Sequence, residues 1–342
     1  MWVDERFSIP PPRLAYHIMT APKPIVRATD NAGRDVTNLL AARDGQYVGA
    51  FVRDRFQGIA KPHSVQVDLG PAPATAGRQW LLANGWIHPT DSSINLALSF
   101  GNNPHPHGLA LSIPDGRGGW KIVRPDLGFP EGINKTILID LTGLFKPGQD
   151  RVVRLATNME IYWDWMGTAT EPPAEKSQSQ TLPLSTADLR YHGFNAVHHA
   201  SLSAPMLPSY NDVAATGQQW RDMTGYYTRY GDVKELLKGI DDRYVIMNAG
   251  DEIALRFAAQ PPPPAGWIRD YILIGDGWGK DCDINTGFGR TVIPLPSHAD
   301  NLYTRKPTTL ENEPVYKAHK ADWRTYQTRY VSPRAFDRAF LP

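Results

Sequence analysis

The sequence predicts an all-β protein made of two tandem antiparallel β-sandwich domains of jelly-roll type, with irregular N- and C-terminal extensions. Three observations predict this class. Pro and Gly make up 59 of the 342 residues, 30 Pro and 29 Gly, or about 17% against a usual combined share of about 12%. Both residues break helices. Polar and apolar residues alternate over many short segments. One stretch of the first half also recurs in the second half, which indicates a duplicated unit.

Short segments with strand character are spread over both halves. Alternation or β-branched runs occupy residues 64–69, 93–98, 108–113, 136–141 and 151–155, then 243–247, 252–257 and 269–274. Gly, Pro, Asn and Asp separate them, as is typical of antiparallel sheets joined by turns. Helix is expected to be minor, with a turn or two at residues 36–42 and 233–238.

The recurring stretch is residues 35–48, which matches residues 232–245 without a gap. Seven of the fourteen positions are identical, namely the Asp-Val pair, Leu-Leu, a second Asp and Tyr-Val. A second block pairs residues 80–86 with residues 272–278, and both copies end in Gly-Trp. The repeat therefore predicts that Trp86 and Trp278 have equivalent packing roles in two copies of one unit.

The repeat and the composition shifts predict five segments. They are a Pro-rich N-terminal arm (1–22), a first β-sandwich domain (23–168), a linker (169–190), a second β-sandwich domain (191–300) and an irregular C-terminal extension (301–342). We expect galactose-binding-like topology for both domains. The linker prediction depends on the polar, Pro-containing sequence of residues 169–185.

Charge and cysteine content argue against several classes of protein. The 36 basic and 35 acidic residues nearly cancel, which gives no electrostatic reason to expect nucleic acid as a partner. The single cysteine, Cys282, allows neither an internal disulfide nor a CxxCH haem attachment. No apolar run reaches the length of a membrane-spanning helix. Phosphate-binding loops, dinucleotide fingerprints and GxSxG elbows are also missing from the sequence.

Four blocks together resemble a known group of proteins. They are residues 85–95, 158–164, 228–233 and 276–286. These blocks are similar to the C-terminal region of bacterial FG-GAP and ASPIC/UnbV repeat proteins, the cartilage-acidic-protein-like group, although this chain lacks the propeller. The resemblance implies an exported binding or assembly protein, located in the periplasm or outside the cell. A position peripheral to a membrane complex is a further expectation for such a protein. It implies no catalytic residue.

The best metal-like motif is a candidate calcium loop, although the sequence favours a simple turn at this place. Asp276, Asp281, Asp283 and Asn285 place oxygen ligands at intervals, three of them at alternate positions, and Gly287 follows. Alternate side chains of a turning segment point inward and can surround Ca²⁺. The motif is no EF-hand, since the glycine falls one residue late and the acidic twelfth position is missing. A turn held by Asx hydrogen bonds is the alternative interpretation.

Aromatic clusters provide the candidate binding residues. Two groups stand out, and they are Tyr162, Trp163 and Trp165 in the first half and Tyr226, Tyr227 and Tyr230 in the second. Aromatic faces beside Asp, Asn and Arg occur in carbohydrate platforms and in protein hot spots. The alternative interpretation is that most of these side chains line the cores.

These observations predict a non-catalytic, extracytoplasmic binding or scaffold subunit that holds partner proteins in a larger assembly. A membrane-associated electron-transfer complex is the assembly that we expect. The first alternative is a carbohydrate-binding module that uses an aromatic platform. A glycoside hydrolase is the second alternative, and it would need paired carboxylates such as Glu160 with Asp164 or Asp241 with Asp242. No enzymatic activity and no certain cofactor are expected, apart from the calcium that the loop predicts.

Overall fold

Antiparallel sheets dominate the structure, a computed structural model that describes residues 2–4, 15–74, 77–172, 177–217, 222–280, 289–299 and 308–332. The chain is mostly β, which confirms the all-β class. None of the helices in these residues is long and apolar enough to cross a membrane. The chain divides into two units, one containing Leu14–Ser177 and His198–Leu207 and the other Gln178–Val197 and Pro208–Pro342. The domain boundaries expected from the sequence stay predictions.

The first unit contains two main sheets. Its described strands are β1 (Trp2–Asp4), β2 (Ala15–His17), β3 (Lys23–Pro24), β4 (Arg27–Asp30), β5 (Ile59–Pro71), β6 (Arg78–Ile87), β7 (Ala110–Pro114), β8 (Trp120–Arg124), β9 (Lys135–Asp140), β10 (Asp150–Met159) and β11 (Ile161–Glu171). Strand order is β4-β5-β10-β7-β8 in one sheet and β3-β11-β6-β9 in the other, while β1 pairs with β2. A 3-10 helix (Thr37–Leu40) and helix α1 (Ser92–Leu98) complete the unit.

One hydrophobic core joins the two main sheets of this unit. Alternate residues of β5, such as Val65 and Val67, share a buried cluster with Leu81 and Ala83 of β6. The intervening β6 residues, Trp80 and Leu82, face a second, smaller cluster on the other side of the sheet. Because β6 is covered on both faces, its residues 80–83 form a continuous apolar run instead of alternating with polar residues. This central position fixes the end of β6, where the candidate site lies.

The second unit has smaller sheets. Its described strands are β12 (Leu184–Tyr191), β13 (Phe194–His199), β14 (Met206–Ala215), β15 (Gly225–Tyr227), β16 (Gly231–Asp232), β17 (Asp251–Phe257) and β18 (Arg329–Val331), and residues 198, 199, 206 and 207 of β13 and β14 count with the first unit. The sheets have the orders β16-β12-β17, β13-β14 and β15-β18. Helical segments are Lys234–Leu237, Leu310–Asn312, α2 (Pro314–Ala318) and α3 (Lys320–Thr325).

The repeated sequence adopts the same local structure in both units. Val36 has φ −122° and ψ 16°, and Val233 has φ −124° and ψ 13°, each directly before a 3-10 helix. The N–H of Val36 donates to the Ala28 carbonyl at 3.0 Å, and the N–H of Val233 donates to the Ala187 carbonyl at 3.0 Å. Identical backbone geometry at matched positions supports a duplicated unit. The helical turns expected at residues 36–42 and 233–238 are confirmed.

Three expected strands are wrong. Residues 93–98 lie in helix α1, because the Asp91 carboxylate accepts the N–H of Ile94 at 2.7 Å and caps the helix N-terminus. Residues 243–247 and 269–274 are not in strands. Alternation predicts which face of a strand would be buried. A strand also needs a neighbouring segment that forms hydrogen bonds with it, and alternation does not show whether such a segment exists.

The described residues of the expected linker and C-terminal extension include strands and helices. Strand β11 continues to Glu171 and strand β12 begins at Leu184, so both ends of the expected linker are in sheets. The described part of the C-terminal extension contains α2, α3 and β18, and Trp323 is buried in a cluster with Tyr227. Packing of a few apolar side chains therefore orders a segment that has no clear sequence period.

Candidate functional site

The ends of β6 and β11 bring two of the family-like sequence blocks together. Tyr162 lies opposite Trp86 in the antiparallel register. The two rings stack with centroids 4.7 Å apart and planes 11° apart, an arrangement that stabilises cross-strand pairs. Gly85 permits this approach, since a Cβ there would overlap the Tyr162 carbonyl oxygen. The Gly-Trp motif of the sequence is thus explained by close strand packing.

A buried carboxylate lies beside this aromatic pair. Glu160 is only 3% exposed and sits at the tight junction between β10 and β11. Its Oε1 accepts a 2.5 Å hydrogen bond from the Tyr162 hydroxyl and lies 3.0 Å from Arg53 Nε. Its Oε2 lies 3.1 Å from His88 Nδ1 and accepts the Gly58 N–H at 3.2 Å. Both oxygens therefore have two partners, as a buried charge requires.

The cluster shifts the pKa of Tyr162. Burial raises the pKa of this hydroxyl well above its ordinary value, and the hydrogen bond to Glu160 and the charge of that carboxylate raise it further. Arg53 opposes the shift only in part. Tyr162 consequently stays protonated at physiological pH and acts as a hydrogen-bond donor to the carboxylate.

Arg53 and His88 form the solvent-facing side of the cluster, since both side chains are partly exposed. His88 Nδ1 is the ring nitrogen that faces Glu160, so Nε2 is directed away from the carboxylate. Arg53 Nη2 also donates to the Tyr162 hydroxyl at 2.8 Å. The arrangement can thus offer oriented polar groups to a ligand, and internal hydrogen bonds hold these groups in place.

A comparable cluster lies in the second unit around His298. Its Nδ1 lies 2.7 Å from Asp242 Oδ1, and its Nε2 lies 3.3 Å from Asp276 Oδ2. The Ser297 hydroxyl donates to Asp242 Oδ2 at 2.8 Å. Burial alone would raise the pKa of Asp242, but hydrogen bonds from His298 and Ser297 hold it below its ordinary value.

The two clusters share one pattern. In the first unit, Tyr47 of the repeated block meets Trp86 edge to face at 6.4 Å and 77°. In the second unit, Tyr244 at the matching position meets Trp278 at 5.6 Å and 81°. Each tryptophan also contacts a histidine bound to a carboxylate: the Trp86–His88 ring distance is 5.8 Å and the Trp278–His298 distance is 4.6 Å. The repeat thus places a Tyr–Trp edge-to-face contact in both units. Trp86 is buried in a strand, whereas Trp278 is only partly buried and lies outside any strand, so the equivalent packing role of the two tryptophans stays a prediction.

The aromatic residues predicted to bind partners differ in exposure. In the first unit, Tyr162 and Trp163 are buried, and Trp165 is half-buried under the guanidinium of Arg43 at 4.7 Å. Asp164, between the two tryptophans, accepts the Gly45 N–H at 3.0 Å, and burial raises the pKa of its carboxyl.

In the second unit, the predicted tyrosines also divide into buried and exposed. Tyr227 is buried, with its hydroxyl donating to the Met223 carbonyl at 2.7 Å. Tyr226 and Tyr230 are exposed, and the Tyr230 hydroxyl donates to Asp251 at 3.0 Å. The binding roles of all these residues stay predictions.

The predicted calcium loop lies mostly outside the described residues. Asp281, Asp283 and Asn285 are not described, and Asp276 contacts His298 as given above. Among the residues that the structure does describe, no three His, Cys, Asp or Glu side chains form a potential metal site. The calcium hypothesis therefore stays a prediction.

Sequence reasoning missed Arg53 and His298 as parts of the clusters. His88 had a signal, because it follows Trp86 by two residues and alternation places both on one face of a strand. Arg53 and His298 had none, since their partners lie far along the chain.

No protein-family model matches this chain, and no curated protein matches it.

Proposed function

We propose that this protein is a non-catalytic binding or scaffold subunit that holds partner proteins. The observation that carries the proposal is an apolar surface segment of the second unit, residues 267–274. Ile268 is 90% and Leu273 is 74% exposed, and Trp267, Tyr271 and Ile274 are exposed as well. Clustered exposed apolar side chains of this kind mark interaction surfaces. Aromatic and aliphatic anchors of this size are typical of hot spots.

The energetics favour coverage of this segment by another protein. Full burial of one Ile or Leu side chain is worth about 1.5–3 kcal/mol. Ile268 and Leu273 together would thus supply several kcal/mol on binding, before the cost of association. The segment also has strong strand character in sequence without a strand partner among the described residues.

The charged clusters support binding more than acid–base catalysis. Glu160 is held by four hydrogen-bonding or charged groups, and Asp242 by His298 and Ser297. A glycosidase needs two carboxyl groups that face one sugar ring. In the pair suggested by the sequence, Asp164 is instead engaged with Gly45.

The remaining parts of the proposal depend on the sequence. We propose two galactose-binding-like, jelly-roll β-sandwich domains, and the shared core of the two main sheets in the first unit supports this. The resemblance to the C-terminal region of FG-GAP and ASPIC/UnbV proteins supports an exported subunit of a periplasmic or extracellular assembly. An electron-transfer complex at a membrane is the assembly we propose.

Co-purification tests the protein-partner proposal. The full chain, affinity-tagged and expressed in its native cells, is cross-linked and isolated, and the partners are identified by mass spectrometry. The double variant Ile268→Asp with Leu273→Asp should lose the partner. Ile122→Asp, at an exposed apolar position on β8 of the first unit, is the matched control and should retain it. A chain that isolates alone, or a double variant that retains every partner, would refute the proposal.

Carbohydrate binding is the second candidate, favoured by one observation in the second unit. The exposed rings of Tyr226 and Tyr330 lie 4.9 Å apart on neighbouring strands β15 and β18. Such adjacent rings suit stacking against a sugar. A glycan array should then show hits that Tyr226→Ala with Tyr330→Ala abolishes, and an array without hits excludes this candidate.

A further inference from the structure

A short turn of the chain covers the Glu160 cluster of the first unit. This cluster consists of Glu160 with the side chains around it, Arg53, Trp86, His88 and Tyr162. This strap, defined as residues 201–205, forms a turn in which the Ala204 N–H donates to the Ser201 carbonyl at 3.2 Å. Leu202 is 76% exposed, whereas Ala204 is 4% exposed and Pro205 is also buried. The strap therefore presents small side chains to the unit and its large side chain to solvent.

Two side chains of the cluster bind consecutive carbonyl groups of the strap. Arg53 Nη2 donates to the Leu202 carbonyl at 2.8 Å, and Trp86 Nε1 donates to the Ser203 carbonyl at 3.0 Å. A built Cβ at Gly49 would lie 3.1 Å from the Ser203 hydroxyl oxygen. Hydrogen bonds to the main chain of a bound segment are one of the recurring sources of affinity in peptide recognition.

Both donors are oriented by groups that do not belong to the strap. Arg53 is fixed by Glu160 and by the Tyr162 hydroxyl, and Trp86 is stacked on the Tyr162 ring. The donors therefore keep their directions when the strap leaves, which lowers the cost of binding a replacement.

We propose that the strap is the internal occupant of a peptide-binding site, and that a turn-forming segment of a partner protein takes its place. The ligand would offer two consecutive carbonyl groups, then a small residue at the Ala204 position and a proline. Proline suits the last position because it has no N–H that would need an acceptor. This inference rests on the proposed function, since it names the kind of partner segment that the first unit would bind.

The internal strap competes with any external segment. A tethered segment acts at an effective concentration on the order of millimolar. A peptide of about 100 µM intrinsic affinity should therefore bind the intact chain at least tenfold more weakly than a chain without the strap, because the strap must leave first. This ratio is the quantity to measure.

The test uses a synthetic peptide of residues 198–207 with blocked ends and full-length variants. In one variant, Gly-Gly-Ser-Gly-Gly replaces the strap. In a second, Ala204→Leu overfills the buried position and displaces the strap with one substitution. Calorimetric titration should show the peptide binding either variant at least tenfold more tightly than the intact chain. A peptide with leucine at the alanine position is the control and should not bind.

A donor variant distinguishes recognition from non-specific adhesion. Trp86→Phe keeps an aromatic ring against Tyr162 but removes the Nε1–H, so in the strap-free background it should weaken peptide binding by about tenfold, the loss of one hydrogen bond of roughly 1.4 kcal/mol. If neither variant binds the peptide while its circular dichroism is native, the inference is wrong. If both variants unfold, the strap is a required part of the fold and the inference is equally wrong. Neither outcome changes what is expected of the double variant Ile268→Asp with Leu273→Asp, so the proposed function is tested separately.

Discussion

Removal of the buried carboxylate of Glu160 should destabilise the first unit far more than the same change at the surface. In Glu160→Gln, the Arg53 guanidinium loses its counter-charge. The new amide NH₂ must replace one of the two carboxylate oxygens. It then faces N–H or O–H groups that donated to that oxygen, either those of Arg53 and Tyr162 or those on the side of His88 and Gly58. Breaking a buried ion pair costs about 3–5 kcal/mol. Arg53 and His88 reach solvent, so we expect a smaller loss of about 2–4 kcal/mol in the free energy of unfolding.

Urea unfolding with hydrogen exchange of the β6 and β11 amides measures this loss in the first unit alone. With a slope near 2 kcal/mol per molar urea, the midpoint should fall by roughly 1–2 M. Glu235→Gln is the matched control, because Glu235 pairs with Lys238 on the surface of the second unit and exposed pairs contribute about 0–1 kcal/mol. Tyr162→Phe should cost about 1 kcal/mol, since Glu160 retains Arg53. Equal midpoints for Glu160→Gln and Glu235→Gln would refute this account of the cluster.

Three further predictions concern the same unit. Burial holds the pKa of His63 below its ordinary value of 6.5, with the Met159 carbonyl opposing the shift. The unfolded chain therefore binds the proton more tightly, and the free energy of unfolding should fall as pH drops below about 6.5. His63→Gln should make the melting temperature depend less on pH in this range. An unchanged dependence would contradict the role of His63. Gly85→Ala should lower the free energy of unfolding by about 2 kcal/mol or more in denaturant titration, because the new Cβ has no space. Gly277 is at the matching repeat position and has open space around it, so Gly277→Ala is the control and should be nearly neutral. Leu40→Ala should cost about 2–5 kcal/mol in the same assay, because Leu40 is fully buried, and a loss below 1 kcal/mol would contradict its place in the core.

Local signals in the sequence predicted much of the first unit. The segments at residues 64–69 and 151–155 lie within β5 and β10, and residues 136–140 of the segment 136–141 lie within β9. Each has enough alternation or β-branching to define a buried face without knowledge of its neighbours. The expected strand at residues 93–98 failed because the Asp91 side chain offers an N-cap, which is a competing local interaction.

The candidate site was only partly predictable. Tyr162 and Trp86 were singled out as aromatic residues, but no strand was predicted at either position, and the structure places them in β11 and β6. Their stacking depends on the register of β6 against β11, which a bulge between Trp163 and Trp165 shifts within the pair. Register is set by pairing between strands that are distant in sequence, so no local pattern reveals it.

The sequence by itself determined the all-β class and the repeated block, because periodicity and turn chemistry act over a few residues. The equal backbone angles at Val36 and Val233 follow from the same short block in both units. Only the tertiary structure decided that Arg53, His88 and Glu160 meet, or that Ile268 and Leu273 lie exposed. Ion pairs and burial depend on which distant segments pack together, and that choice results from the sum of many weak contacts over the whole unit.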